Sequence, residues 1–182
     1  MLRSFLHLTW HELGKLLPQV SLWGPLLLLS TMGFWSVGQG FLAFASPDGA
    51  RFFWKGWLAF STVSGASLVA FRTFAALAGA PLLYWASLPL PLGLVLAAKL
   101  LAGVLLGTGI AALSHGLALR EPVALGDVFT LLLVAMAVVG LVALLGFFVR
   151  NLAHLSGFSL ILNVFLQYLS AVYLPLESFP SW

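Results

Sequence analysis

Cysteine is missing from this sequence, which rules out disulfides, thiolate metal sites and thiol nucleophiles. Charge is nearly as scarce. Lys, Arg, Asp and Glu make up 7% of the 182 residues, whereas a soluble domain carries about 25%. With 62% hydrophobic residues beside so little charge, a water-soluble fold is excluded. The eight Lys and Arg are scattered singly, so the net charge of +3 does not describe a stripe that tracks nucleic-acid phosphates. Catalytic signatures are missing as well. No glycine-rich GxxxxGK run followed by Ser or Thr occurs, and Gly14 and Lys15 lead into Leu16, so the chain is not expected to bind or hydrolyse ATP unaided. There is no GxSxG elbow or HExxH helix, and the chain is read as not catalytic alone. Few charges fall at mid-membrane depth, which weighs against an ion-driven carrier.

What is present is apolar sequence in long runs, each sufficient to cross a hydrocarbon core of about 30 Å as a helix. The expected fold is an all-α integral membrane protein in one transmembrane domain, with an N-terminal interfacial helix and about five transmembrane helices. Over residues 1–18, Leu2, Phe5, Leu6, Trp10, Leu13, Leu16 and Leu17 recur at helical spacing with Arg3, Ser4, His7, His11, Glu12 and Lys15 between them. This is the pattern of an amphipathic helix at a membrane surface. Spans are expected over 20–45, 56–71, 93–117, 128–149 and 155–174. Ser46, Pro47, Asp48 and Gly49 read as a turn. Arg51 and Lys55, among Phe52, Phe53, Trp54 and Trp57, read as an interfacial aromatic belt with snorkelling cations. Residues 72–92 carry Gly79, Pro81, Pro89 and Pro91 and read as a short helix and turn at the membrane face. Arg120, Glu121, Pro122, Gly126 and Asp127 mark a polar loop, and 175–182 form an outer-face turn.

With a cytoplasmic N-terminus, Arg3, Lys15, Arg72, Lys99 and Arg150 lie inside and Arg51, Lys55 and Arg120 outside, in the direction of the positive-inside rule. The chain is expected in a cell (plasma or inner) membrane. Gly103, Gly107 and Gly109 would let another helix approach closely, either within the chain or from a second subunit. Asn163 and Gln167, one turn apart, either line a pathway or hydrogen-bond to a neighbouring helix. His7 and His11 at i and i+4 beside Glu12 could present two imidazoles to a metal, but without a third ligand they read as polar-face residues, and no metal is expected.

Two stretches, GAPLLYWASLPLPLGLVLAAKLLAGVLLG from Gly79 to Gly107 and YLSAVYLPLESFPSW from Tyr168 to Trp182, give this layout a family character. The chain resembles the permease subunit of type-2 ATP-binding-cassette (ABC) exporters. The resemblance implies that 72–92 is a cytoplasmic coupling segment docking on a separate ABC ATPase subunit, with Arg72, Leu83, Tyr84, Ser87, Pro89 and Lys99 at the matching positions. It implies that Pro175, Leu176, Glu177 and Pro180 form the outer-face motif. ATP and Mg would be held by the partner ATPase, with no cofactor on this chain, and two permease copies would form a homodimer or pseudo-dimer in the lipid. Two departures stand out: no acid lies between Arg72 and Lys99, and the family's sixth span is expected to be lacking beyond Trp182. The SLPLPLGLVLAAK stretch is also similar to the haem-exporter permease of cytochrome c maturation. A non-transporting membrane scaffold or truncated remnant is the reading from a different class.

Overall fold

The computed structural model describes residues 2–42, 47–79, 91–120 and 122–148, together with Gly157 and Ile161. Among them five helices and no strands are found: α1 (Leu2–Leu16), α2 (Val20–Leu42), α3 (Pro47–Gly79), α4 (Leu92–Leu119) and α5 (Leu125–Phe148).

The first break follows from Pro18, which cannot continue α1's ladder. The chain turns there by 79° before α2 begins. Side chains satisfy the carbonyls left open at the end of α1: the Trp23 indole donates to the Leu17 carbonyl at 2.9 Å and the Gln19 amide to the Lys15 carbonyl at 3.0 Å. α1 itself has three faces. Thr9 and Glu12 are buried against the bundle, with Leu13 and Leu16 packed beside Val69, Leu106 and Ile110. Leu2, Leu6 and Trp10, at i, i+4 and i+8, form an apolar exposed stripe. Arg3, His7, His11 and Lys15 occupy an exposed polar side.

α4 packs on all four other helices, and α3 packs on α2, α4 and α5. Its contact with α4 is the closest. A Cβ placed on Gly107 would lie 2.5 Å from the Thr62 carbonyl oxygen, and one on Gly65 would lie 2.7 Å from the Gly107 Cα. Only hydrogen fits at that crossing. One turn away Gly103 receives Val69, and Gly146 of α5 receives the Phe74 ring. The core between α3, α4 and α5 is correspondingly made of small and β-branched residues: Val63, Ala66, Ala70, Val104, Ala135, Val138, Val139 and Val142. Small residues at a helix interface let backbones make the dispersion contacts that drive association in lipid.

α4 and α5 are each long and apolar enough to cross a membrane, and α1 and α2 pass the same test as one bent pair, giving two or three such helices among the described residues. This marks the chain as a membrane protein. In the α4 span 61% of residues are buried inside the bundle against 28% in the α5 span, so α4 is central and α5 peripheral. The outer face of α5 carries Phe129, Leu133, Met136, Leu141 and Leu144, all exposed, a surface suited to hydrocarbon and not to water.

Several sequence expectations need correcting. Pro47, Asp48 and Gly49 are not a turn but the first turn of α3, where proline's fixed φ and missing N–H fit a helix start. The second expected span, 56–71, is the middle of a 33-residue helix, and the first part of the expected coupling segment, Arg72 to Gly79, continues that helix. Gly126 and Asp127 belong to the first turn of α5, where a carboxylate complements the helix dipole. Phe53, Trp54 and Trp57 of the expected belt pack inward: Phe53 is buried and stacks on Trp57 at 5.9 Å, and buried Phe34 of α2 stacks on Trp54 at 5.3 Å. Gly33 opens the space that Trp57 fills, since a Cβ there would collide with the indole. Of the three α4 glycines, Gly109 has nothing within 4 Å and takes no part in the close approach. The fifth span lies outside the described residues apart from Gly157 and Ile161.

Gly107→Ala should therefore force α3 and α4 apart and cost about 1–3 kcal/mol. Gly109→Ala, in open space on the same helix, should be neutral or stabilising by up to about 1 kcal/mol. Unfolding midpoints of the two variants in one detergent check the contrast, and equal losses would refute it.

Candidate functional site

One pole of the bundle gathers four charged side chains, Glu12, Lys15, Arg72 and Lys99. Glu12 projects from the buried face of α1 with its side chain only 10% exposed, and each carboxylate oxygen takes one ammonium. Lys99, about two turns into α4, donates to Oε2 at 2.5 Å, and Lys15 donates to Oε1 at 2.9 Å. Arg72 of α3 donates to Gln19 Oε1 at 3.2 Å, which ties α3 to the elbow between α1 and α2. These groups, with Leu16, Val69 and Thr73, line a cleft of about 210 Å³. Among the described residues, no carboxylate pairs with Arg72, so the cleft holds three cations against one acid.

Burial pushes the Glu12 carboxyl up, but the hydrogen bonds and charges of Lys99 and Lys15 outweigh it and hold the pKa below the ordinary carboxylate value. The pairing therefore favours the ionised, docked form of α1.

The opposite pole is weaker. Lys55 meets Asp127 at 3.3 Å with side chains 66% and 36% exposed, a geometry in which ion pairs contribute about 0–1 kcal/mol. His115 of α4 stands edge-on to Phe34 at 5.8 Å, inside the aromatic cluster.

Between the poles the polar atoms are hydroxyls. Ser30 and Ser61 hydrogen-bond across α2 and α3 at 2.6 Å, and Trp57 donates its indole N–H to the Ser30 carbonyl at 3.1 Å. Thr73 and Thr108 return their hydroxyls to the carbonyls four residues back, which removes the need for a partner elsewhere. Among the described residues, Thr62, Ser67 and Ser114 keep buried hydroxyls without a hydrogen-bond partner.

Of the residues singled out from sequence, the structure brings Arg72 and Lys99 to the same cleft. Leu83, Tyr84, Ser87 and Pro89 lie outside the described residues, as do Asn163, Gln167, Pro175, Leu176, Glu177 and Pro180. Sequence reasoning missed Glu12 and Gln19 as members of the cleft. A signal for Glu12 existed: it is the only acid before Asp48, and Lys99 is a solitary cation inside an apolar run. No protein-family model, curated protein or solved structure matches this chain.

Replacing Glu12 by Gln leaves Lys99 without its counter-charge, and the loss should be about 1.5–3 kcal/mol, the range for hydrogen bonds to charged groups. A carboxyl with a depressed folded-state pKa contributes stability that is present above its unfolded value and lost as pH falls through the folded one. The wild type should consequently loosen α1 on acidification below the ordinary carboxylate range, whereas Glu12→Gln should lose that acid-dependent step. Proteolysis within the 1–19 segment as a function of pH reads both effects, and an unchanged pH profile in the variant would count against the pairing.

Proposed function

We propose that this chain is the membrane-spanning permease subunit of an ABC transporter of the type-2 exporter kind, coupling ATP hydrolysis by a separate ATPase to movement of a substrate across a cell membrane. The observation that carries the reading is the charged cleft, in which α1, the last third of α3 and the start of α4 meet. Residues 80–90, within the 72–92 segment where an ATPase would dock, follow α3 and precede α4 in the chain. A push on this connection would reach α1 through Lys99 and Glu12 and the α2 elbow through Arg72 and Gln19.

In this reading the cleft pole is cytoplasmic, consistent with the positive-inside count, and α1 lies along the inner membrane surface. α2, α3, α4 and α5 cross the bilayer. α3 carries Ser61, Thr62, Ser64 and Ser67, which would be costly against lipid, and it sits where its neighbours shield it. The ATPase would hold ATP and Mg, and two permease copies would enclose the pathway.

The test is a detergent pull-down of the tagged chain from its native membrane, with mass spectrometry for a partner carrying a glycine-rich GxxxxGK loop followed by Ser or Thr. Near-equal recovery of such a partner is expected. Substituting Tyr84 or Ser87 by Asp should weaken that association without affecting membrane insertion. Absence of any ATPase would abandon the transporter reading in favour of a scaffold.

A further inference from the structure

The polar cleft has more positive charge than its own internal pairing needs. Glu12 is saturated by Lys15 and Lys99, one to each oxygen, and leaves two net positive charges around the opening. Arg72 is exposed and directs one guanidinium nitrogen to Gln19, an uncharged acceptor, so most of its five donors remain for another group. Lys15 is 54% exposed at the rim. Thr73, at the same wall, returns its hydroxyl to Val69 and adds no charge. A guanidinium beside an ammonium above an apolar floor of Leu16 and Val69 suits an oxyanion with several acceptor oxygens.

The position of the cleft narrows the source. α1 turns away from α2 by 79°, and its stripe of Leu2, Leu6 and Trp10 is exposed rather than packed into the bundle. If α2 follows the bilayer normal, α1 lies near the membrane plane with that stripe in the acyl boundary. The three cations then stand at headgroup depth, where basic pockets between helices bind anionic lipid headgroups.

We propose that the cleft formed by Lys15, Arg72 and Lys99 is a binding site for a phosphate group, with the headgroup of an anionic phospholipid as the source the geometry favours. The bound phosphate bridges α1 to α3 and offsets part of the positive charge that Glu12 leaves uncompensated. This requires the chain to be membrane-embedded but is independent of whether it works with an ATPase.

The full chain is extracted from vesicles of phosphatidylcholine containing phosphatidylglycerol, and retained lipid is read by native mass spectrometry. Wild type should retain phosphatidylglycerol in preference to phosphatidylcholine. Arg72→Gln and Lys15→Gln should each lower that retention about fivefold, while Lys55→Gln, at the opposite pole, should leave it unchanged. Arg72→Lys should restore part of the loss, and thermal melts of every variant identify any that has misfolded; Lys15→Gln, at an exposed position, keeps the test decisive if Arg72→Gln does not fold. A parallel arm adds inorganic phosphate. Displacement of the lipid by phosphate at Lys15 and Arg72 would assign the site to soluble phosphates instead of headgroups. Equal retention of both lipids without any response to phosphate, or folded Lys15→Gln and Arg72→Gln variants that retain as much as wild type, would overturn the proposal.

Discussion

The bundle depends on the contact between α3 and α4 at Gly65 and Gly107. Hydrocarbon gives helices no hydrophobic reason to associate, so they hold together through dispersion and close backbone approach. Here the approach is limited only by hydrogen atoms, with the Thr62 carbonyl 2.5 Å from where a Gly107 Cβ would stand. Once these two helices are seated, α5 lays Ala135, Val138, Val139 and Val142 along the shallow surface they create. α2 closes the other side through Phe34, whose ring is fully buried. The seating also decides what happens to polarity. α3 carries a run of hydroxyls that lipid would penalise: Ser61 bonds Ser30 of α2 and the Trp57 carbonyl, Thr73 bonds the Val69 carbonyl, and Thr62 and Ser67 are buried without a partner among the described residues.

Charge is distributed along the bundle by the same logic. Ion pairs stand at the two poles and hydroxyls between them. The poles are unequal in strength. Glu12 is almost fully covered and receives two ammonium groups, one of them on a different helix, whereas Lys55 is largely exposed and Asp127 partly so. The Glu12 cluster also joins segments far apart in sequence: the bond to Lys99 spans 87 positions and that from Arg72 to Gln19 spans 53. The amphipathic N-terminal helix is thereby anchored to the last third of α3 and the first turns of α4. Under the proposed function, that pole is where a mechanical signal from the ATPase would enter.

The helices that sequence located best are those whose composition leaves no alternative. Residues 93–117 and 128–149 agree closely with α4 and α5, because an uninterrupted apolar run of that length has no other low-energy conformation in lipid. α3 was harder to bound. Its hydroxyls and flanking cations shortened the apparent span to 56–71, while packing on three neighbours sustains a helix from Pro47 to Gly79. Pattern also misjudged direction. Phe53, Trp54 and Trp57 next to Lys55 match an interfacial belt in composition, yet Gly33 and Phe34 of α2 offer them a pocket, and the rings turn inward. Arg72 and Lys99 were selected together as ends of the coupling segment that the resemblance implies; that they share a cleft with Glu12 and Gln19 was invisible without the elbow at Pro18.

The amino-acid sequence by itself determined that this is an all-helical membrane protein and where its two most apolar helices lie, since hydropathy and length are summed along the chain and need no knowledge of neighbours. It also marked the amphipathic character of α1, which is a local periodicity. The tertiary structure alone decided which side of α1 faces the bundle, which of Gly103, Gly107 and Gly109 meet another helix, and which cations surround the single acid of the N-terminal segment. Those outcomes depend on the crossing of α3 with α4 and on the 79° turn between α1 and α2, and distances across such crossings are set by packing between residues that the chain order keeps far apart.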